Sequence, residues 1–497
     1  MQITKLLKKA ATSLLAATLI LSAAGCTKTV QTTSEIEGTE GSDYIIGWED
    51  VETSSNDVLT SSNDVLTSTS SPSSNGEDTS SKNNGGTSSV FTPQVNFNVY
   101  ENIPKNVKQI KVLLWYTPDD VEKKVISSFE DKFGIKVKLI CTDTAGYLTR
   151  LTTLVASNDA PDVAALYDFP APVIKGLFNT VDVATSDKGG AFNFEKDLAY
   201  DTEAMKYASW NGKQYGVQLK GNWHADRGVI IFNRTLFKNQ GITDPLTLWK
   251  QGKWNWKTLE QCAKDMTFKN KSNGIQVYGF GPSNQIPIFK LLASAGTNII
   301  TVNNDKGTIS NNVTDKTVIE GVSLYTRMKK SGYCVPGGSD WSMFTKGQCA
   351  MWLSEHNQVK VGREFDSMTD DWTTVPIPSP EGKEIISAYT STSFGIPKGA
   401  KNGIAGSYFI RWLLDSNNWN IRATFKTQEM YDTWVKQQSY KTSYDRIAPI
   451  LNNSSGLINS LVNITAGSEN DVATGLKSLM GSVDNAINTT LNEMSTK

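Results

Sequence analysis

Over residues 109–167 the apolar positions switch between two periods, and the switching predicts a specific order of elements. Gln109 to Trp115 (QIKVLLW) is a nearly unbroken apolar run of the kind that forms a strand covered on both faces. A helical period follows, with Val121, Val125, Phe129 and Phe133 on one stripe. Thr117 is the expected N-cap, Pro118 suits the first helical position, and Asp119 and Asp120 complement the helix dipole. Gly134 supplies a left-handed stop. Ile135 to Cys141 then alternates as a strand, Tyr147 to Ala156 carries a second stripe (Leu148, Leu151, Val155), and Asp162 to Tyr167 reads as a third strand. Strand–helix–strand–helix–strand is the grammar of a parallel sheet with helices on its faces. Further along, Leu259–Met266, Val318–Met328, Ile404–Leu414 and Leu476–Leu491 read as amphipathic helices between short strand-like runs.

The N-terminal quarter has no such periodicity. Residues 1–25 combine basic Lys5, Lys8 and Lys9 with an apolar stretch from Leu14 to Leu21, then small residues directly before Cys26. The apolar stretch is short for a membrane-spanning helix, which wants about 20 apolar residues. It resembles the lipobox leader of bacterial lipoproteins, with Ala23 where that pattern usually has Leu. The resemblance implies cleavage before Cys26, acylation of its thiol and new amine, and a mature protein held on the outer face of the cell membrane. Residues 26–107 are expected to be a disordered tether. From Thr27 to about Pro93, Ser, Thr, Asn, Asp and Gly dominate, and SSNDVLT occurs at 54–60 and again at 61–67. Such a composition buries too little apolar surface to offset its ordering entropy. A flexible chain of roughly 70 residues spans about 45 Å. The apolar island Tyr44-Ile45-Ile46-Gly47-Trp48 is either a docking patch or an interruption without function.

Residues 108–497 exceed what one hydrophobic core usually serves, so two lobes are expected. A net charge of −1 with a pI near 6.3 provides no basic stripe, which argues against a nucleic-acid partner. Beyond the leader no apolar run is long enough to span a bilayer. Cys141, Cys262, Cys334 and Cys349 contain no CxxC pair. Export permits disulfides, and Cys334 with Cys349 is the nearest pairing. Cys141 and Cys262, however, fall on apolar faces of a strand and a helix, where a buried free thiol is the usual state. The expectation is therefore no disulfide network.

Six phrases in order carry a family resemblance. Ser157-Asn158-Asp159-Ala160-Pro161-Asp162-Val163 precedes the third strand. Gly212-Lys213-Gln214-Tyr215-Gly216-Val217 and Ile231-Phe232-Asn233-Arg234-Thr235-Leu236-Phe237 follow. Then come Leu248 to Met266 and Phe344-Thr345-Lys346-Gly347-Gln348-Cys349-Ala350-Met351. Last is Val375-Pro376-Ile377-Pro378 with Phe394 to Asn402. Together these resemble the family 1 extracellular solute-binding proteins, the substrate-binding components of carbohydrate-importing ABC transporters. The resemblance implies an α/β, two-lobed periplasmic-binding-protein-like fold of type II, each lobe a helix-covered, mostly parallel sheet. It implies chain crossings near Val217–Asn222, Ser387–Phe394 and Thr424–Glu429, giving 108–220 plus 388–425 as lobe 1 and 221–387 plus 426–497 as lobe 2. It also implies a monomer that works with an ABC permease and needs no cofactor.

A sugar presents apolar C–H faces and a rim of hydroxyls, so its recognition calls for aromatic platforms and planar hydrogen-bonding side chains. Ligands of open α/β sheets lie beyond the carboxyl ends of strands. Trp115 and Tyr116 follow the first strand, where the family commonly contacts ligand; core packing is the equal alternative for Trp115. Tyr167 and Asp168 end the third strand, with Asp168 either a hydroxyl acceptor or a cap for the next turn. Trp223, His224, Asp226 and Arg227 lie just past the first expected crossing, either lining the cleft floor or forming an exposed polar loop. Trp352, Glu355, His356 and Asn357 follow the AMWL run, where the family often places an aromatic; the polar residues there leave the stacking role open to Trp223 or Trp372. Thr390 and Ser391 either bond ligand or decorate a strand. Trp254, Trp256, Trp412, Trp419 and Trp434 are expected to pack helices.

Catalysis finds little support. The chain has two histidines, His224 and His356, without metal-ligand spacing. No GxSxG elbow, P-loop or GxGxxG follows a strand. The expectation is a lipid-anchored, non-enzymatic binding protein for a mono- or oligosaccharide. A peptide or polyol receptor and a surface glycoside hydrolase are the alternatives.

Overall fold

In the computed structural model, residues 97–497 are described except 168, 339–340, 362–364, 366–367, 445–454 and 496–497. The leader, Cys26, nearly all of the tether and Asp168 lie outside the described residues. Strand β1 (Gln109–Leu114) buries Ile110, Val112, Leu113 and Leu114 and leads into helix α1 (Asp120–Phe133). The cap of α1 is Asp119, whose carboxylate accepts from the Glu122 amide at 2.8 Å, rather than Thr117. This shift sets the helix phase. The buried stripe is Glu122, Val125, Ile126 and Phe129, at spacings of three, four and seven, while Val121 faces out at 37 % exposure. Gly134 ends α1 at φ 67°, the left-handed conformation that a Cβ disfavours.

The chain continues through β2 (Lys136–Cys141), α2 (Tyr147–Ala156) and β3 (Val163–Ala165), the order expected. Next come β4 (Ala225–Asn233), α3 (Trp256–Asp265), α4 (Ile286–Ser294) and α5 (Lys316–Lys330). They are followed by β5 (Met351–Glu355), α6 (His356–Val361), β6 (Trp372–Pro376), β7 (Ser387–Ser391) and β8 (Phe394–Gly395). The last elements are α7 (Gly403–Leu414), α8 (Gln428–Gln437), β9 (Thr442–Tyr444), α9 (Ser455–Ala466), α10 (Val472–Ser478) and α11 (Met480–Ser495). The helix expected over Leu476–Leu491 is thus broken into two at Leu479.

Two main sheets organise these elements. In the first, ordered β8-β3-β1-β2, β1 is parallel to both neighbours and β8 is antiparallel to β3. Val112, Leu113, Phe129, Leu151 and Phe409 pack around it. Full burial of a side chain such as Phe129 contributes about 2–3 kcal/mol relative to exposure. The second sheet centres on β4, nine residues all buried, with β5, β6 and β7 antiparallel to it and only β9 parallel to β7. The mostly parallel expectation therefore holds for the first sheet and fails for the second. One long buried strand there offers both edges to returning segments. Ile230, Phe232, Leu259, Leu291 and Val322 form its core. Gly228 lies mid-strand because a Cβ would meet Ile377 at 2.5 Å and Ala388 at 3.0 Å.

Between the sheets, residues 217–225 and 391–395 run antiparallel, with Val217 bridged to Phe394 and Ala225 paired with Ser391. A buried amide network binds them. Gln218 Nε2 donates to Ser393 Oγ at 2.7 Å and Ser391 Oγ at 3.2 Å, and Asn222 Nδ2 donates to Gln218 Oε1 at 2.8 Å. Cys141, Cys262, Cys334 and Cys349 are free thiols; Cys141, expected to be buried, is exposed at the end of β2. Among the described residues no helix is long and apolar enough to cross a membrane.

Candidate functional site

The carboxyl ends of β1 and β3 open onto one group of aromatic side chains. The Trp115 ring lies 4.8 Å from that of Tyr167 and 5.1 Å from that of Tyr116, and all three residues are half-buried. The crossing segment adds Trp223, half-buried, and His224, whose side chain is 7% exposed. His224 stands 6.3 Å from the Tyr116 ring, with its own ring set edgewise on Phe394 and Trp419. Trp223 is stacked on Trp419, at 5.0 Å and 9° from parallel. Five of the expected site residues thus meet at the junction of the first sheet and the crossing. Trp419 is buried as expected of a packing residue, and its indole donates to Leu413 O at 2.7 Å. Its broad face nevertheless backs Trp223, a role that periodicity had not suggested.

Glu122 is the residue that sequence reasoning missed. It is buried in the first turn of α1 and accepts from the Tyr116 hydroxyl at 2.9 Å. Burial, with a smaller contribution from Asp119, pushes its carboxyl up to about 8 against the opposing pull of the Tyr116 bond. Burial and the neighbouring Glu122 likewise push the Tyr116 phenol well above its usual value. The available signal was the 122–125–126–129 spacing, which outscores Val121 only once the helix start is known.

A second group forms where β4, β5 and β7 meet. The residues around Asp226 read as a loop by polarity, yet they are strand, and a strand sends neighbouring side chains to opposite faces. Asp226, paired with Thr390 across the sheet, accepts the Asn357 amide at 2.9 and 3.1 Å and so caps α6. Glu355, half-buried at the end of β5, meets Lys290 Nζ at 2.7 Å and the Thr390 hydroxyl at 3.4 Å. Asn357 and Ser391 are half-buried beside them.

Arg227 points the other way. Its Nε donates to Gln438 Oε1 at 3.1 Å, its guanidinium lies 5.4 Å from the Tyr389 ring centre, and Asp201 is 3.9 Å from Nη2. Arg227 therefore does not share a face with Asp226, contrary to the expected grouping. His356 is also fully enclosed, bonded to Gln437 and edgewise to Phe425. Trp352 is 2 % exposed, 5.1 Å from Trp341 and packed on the Gly281 backbone. It is a core residue, because inward-facing positions of β5 supply the core between β4 and the 341–344 turn. Trp372 is buried as well, 4.7 Å from Phe365. Of Trp352, Trp223 and Trp372, among which the sequence leaves the stacking role open, Trp223 alone is partly open.

Two α/β lobes joined by crossing strands, with aromatic and polar side chains gathered at strand ends, define a cleft-type binding protein. The chain belongs to the bacterial extracellular solute-binding protein family, whose model matches residues 124–430. The diacetylchitobiose binding protein DasA of Streptomyces coelicolor is 25% identical over 128 residues, 26% of this chain and 28% of that protein. That match thus spans little more than a quarter of the relative. Among solved structures, an ABC substrate-binding protein from Listeria monocytogenes in complex with cycloalternan has a TM-score of 0.56 at 18% identity, covering 79% of this chain and 100% of the other. An extracellular solute-binding protein from Staphylococcus aureus in complex with maltose has a TM-score of 0.57 at 14% identity, covering 78% and 98%. At such identities the likeness is one of fold.

Proposed function

We propose that this chain captures a sugar or oligosaccharide between its lobes and delivers it, unaltered, to an ABC importer. The observation that carries the reading is the convergence of Trp115, Tyr116, Tyr167, Trp223 and His224 at the first strand ends and the crossing; the polar group of Glu355, Asn357, Thr390 and Ser391, on β5, α6 and β7 of the second sheet, is proposed to face it. Flat aromatic faces suit the C–H faces of a pyranose, and the polar side chains suit its hydroxyl rim. Relatives of the same fold held cycloalternan and maltose, which favours an α-glucan or similar oligomer over a peptide or polyol. Asp226, Arg227, His356 and Trp352 shape this site from behind. The lobes are 108–220 with 388–425 and 221–387 with 426–497, hinged at the paired crossing segments. Ligand binding shifts the population towards the closed arrangement. The chain is a monomer held at the extracellular face of the membrane by acylated Cys26, with residues 26–107 as tether, and it has no catalytic role.

Calorimetry of the full-length chain with maltose, maltotetraose, cycloalternan and diacetylchitobiose tests this. At least one is expected to bind and to raise the melting temperature by mass action, with compaction visible by X-ray scattering. Flat titrations with all four, or release of product from chromogenic glycosides, would refute the proposal.

A further inference from the structure

Glu122 occupies a stripe position that an apolar residue would fill at lower cost, since a buried carboxyl must offset the loss of its hydration. Its Oε1 takes the Tyr116 hydroxyl at 2.9 Å and stands 3.5 Å from His224 Nε2, with the Glu122 and His224 side chains 4% and 7% exposed. Tyr116 comes from the loop after β1, and His224 from the segment that crosses between the sheets. One carboxyl oxygen therefore ties a ring of the first lobe to a ring of the crossing, and both rings border the aromatic group.

We infer that Glu122 is a positioning residue of the site proposed above: its carboxyl fixes Tyr116 through the hydrogen bond and, 3.5 Å from Nε2, sets the charge that His224 faces. Loss of the Glu122 proton leaves one buried negative charge, which the surroundings oppose. Among the described residues, the other titratable or charged groups near the carboxyl are Asp119 at the helix cap, Cys141 at the end of β2 with Lys123 beside it, and the Tyr116 phenol. Asp119 adds to the burial that raises Glu122, so departure of its proton is expected near pH 8. The effect on sugar rests on the proposed function; the coupling of Glu122 to the two rings does not.

The chain's two histidines make a ligand-free test possible. Full-length protein labelled with ¹³C-histidine gives two imidazole signals, assigned with His356→Gln or, should that variant not fold, His224→Gln. The His224 signal is expected to show a titration step near pH 8 that is absent in Glu122→Gln, while the His356 signal is unmoved. Superimposable His224 curves in parent and Glu122→Gln would overturn the coupling of Glu122 to His224. Calorimetry with maltotetraose between pH 6 and 9 tests the positioning role. The parent's affinity is expected to fall through pH 8, Glu122→Gln to match the parent at pH 6 with a flat profile, and Glu122→Ala, which removes the acceptor of the Tyr116 hydroxyl, to bind about tenfold more weakly throughout. Equal affinities and slopes would overturn it. A parent that binds no sugar would refute the sugar reading, and the histidine signals would still decide the coupling of Glu122 to His224.

Discussion

Trp223 lies face to face on Trp419, ring centres 5.0 Å apart and planes 9° from parallel. Trp419 is buried and anchored through its indole N–H to Leu413 O at 2.7 Å, whereas Trp223 is half-buried at the mouth of the crossing. A fixed indole thus presents a second one at a set height and tilt. The two should respond differently to removal. Trp223→Ala is expected to weaken binding of the sugar found by calorimetry about tenfold or more, near 1.4 kcal/mol, with little change in the urea midpoint. Trp419→Ala is expected to destabilise the fold by about 3–5 kcal/mol. Equal urea midpoints in the two variants would contradict the division of roles.

Asp226 should matter to stability first. Its carboxylate receives the Asn357 amide at the start of α6, one of the donors that a helix leaves without an intrahelical partner. Asp226→Ala is expected to cost about 1–2 kcal/mol in urea unfolding, and Asp226→Asn less, because an amide oxygen still accepts.

The raised Glu122 carboxyl predicts a pH dependence with a definite sign. Its ordinary value is 4.5 and burial lifts it to about 8 in the folded protein. The folded state therefore holds a proton that the unfolded chain releases between these values. The associated stability is fully present below pH 4.5 and is lost as pH rises through 8. Glu122→Gln, which cannot ionise, is expected to gain on the parent across that window, on the order of a few kcal/mol at pH 8.5 and little at pH 4.5. Parallel melting curves for the two proteins from pH 4.5 to 8.5 would exclude the raised carboxyl.

A buried ion pair on α7 offers a control. Arg411 Nε meets Asp197 Oδ2 at 2.8 Å with side chains 2% and 0% exposed, and its Nη1 meets Asp415 at 2.8 Å. Asp197→Ala leaves the guanidinium under-neutralised in the core and is expected to cost about 3–5 kcal/mol in denaturant unfolding. Sugar affinity of the folded fraction should be unchanged.

Local order was legible in the chain itself. The β1–α1–β2–α2–β3 succession, the Gly134 stop and the bounds of α2 follow from hydrophobic period and turn chemistry, which act within a few residues. The six phrases likewise pointed to the family, and the aromatics that follow β1 and β3 were marked by position alone. What residues 109–167 could not reveal is which distant segment would lie against them. Asp226 and Arg227 read as neighbours lining the cleft floor or in an exposed loop until β7 pairs with Ala225–Arg227 and sends them to opposite faces. Glu122 carried no mark in the sequence; its burial appears only with the helix capped at Asp119 and with Tyr116 and His224 against it. Trp419 met Trp223 across nearly two hundred residues. Strand partners, helix phase and burial of polar groups depend on contacts between remote parts of the chain, and no short-range pattern carries that information.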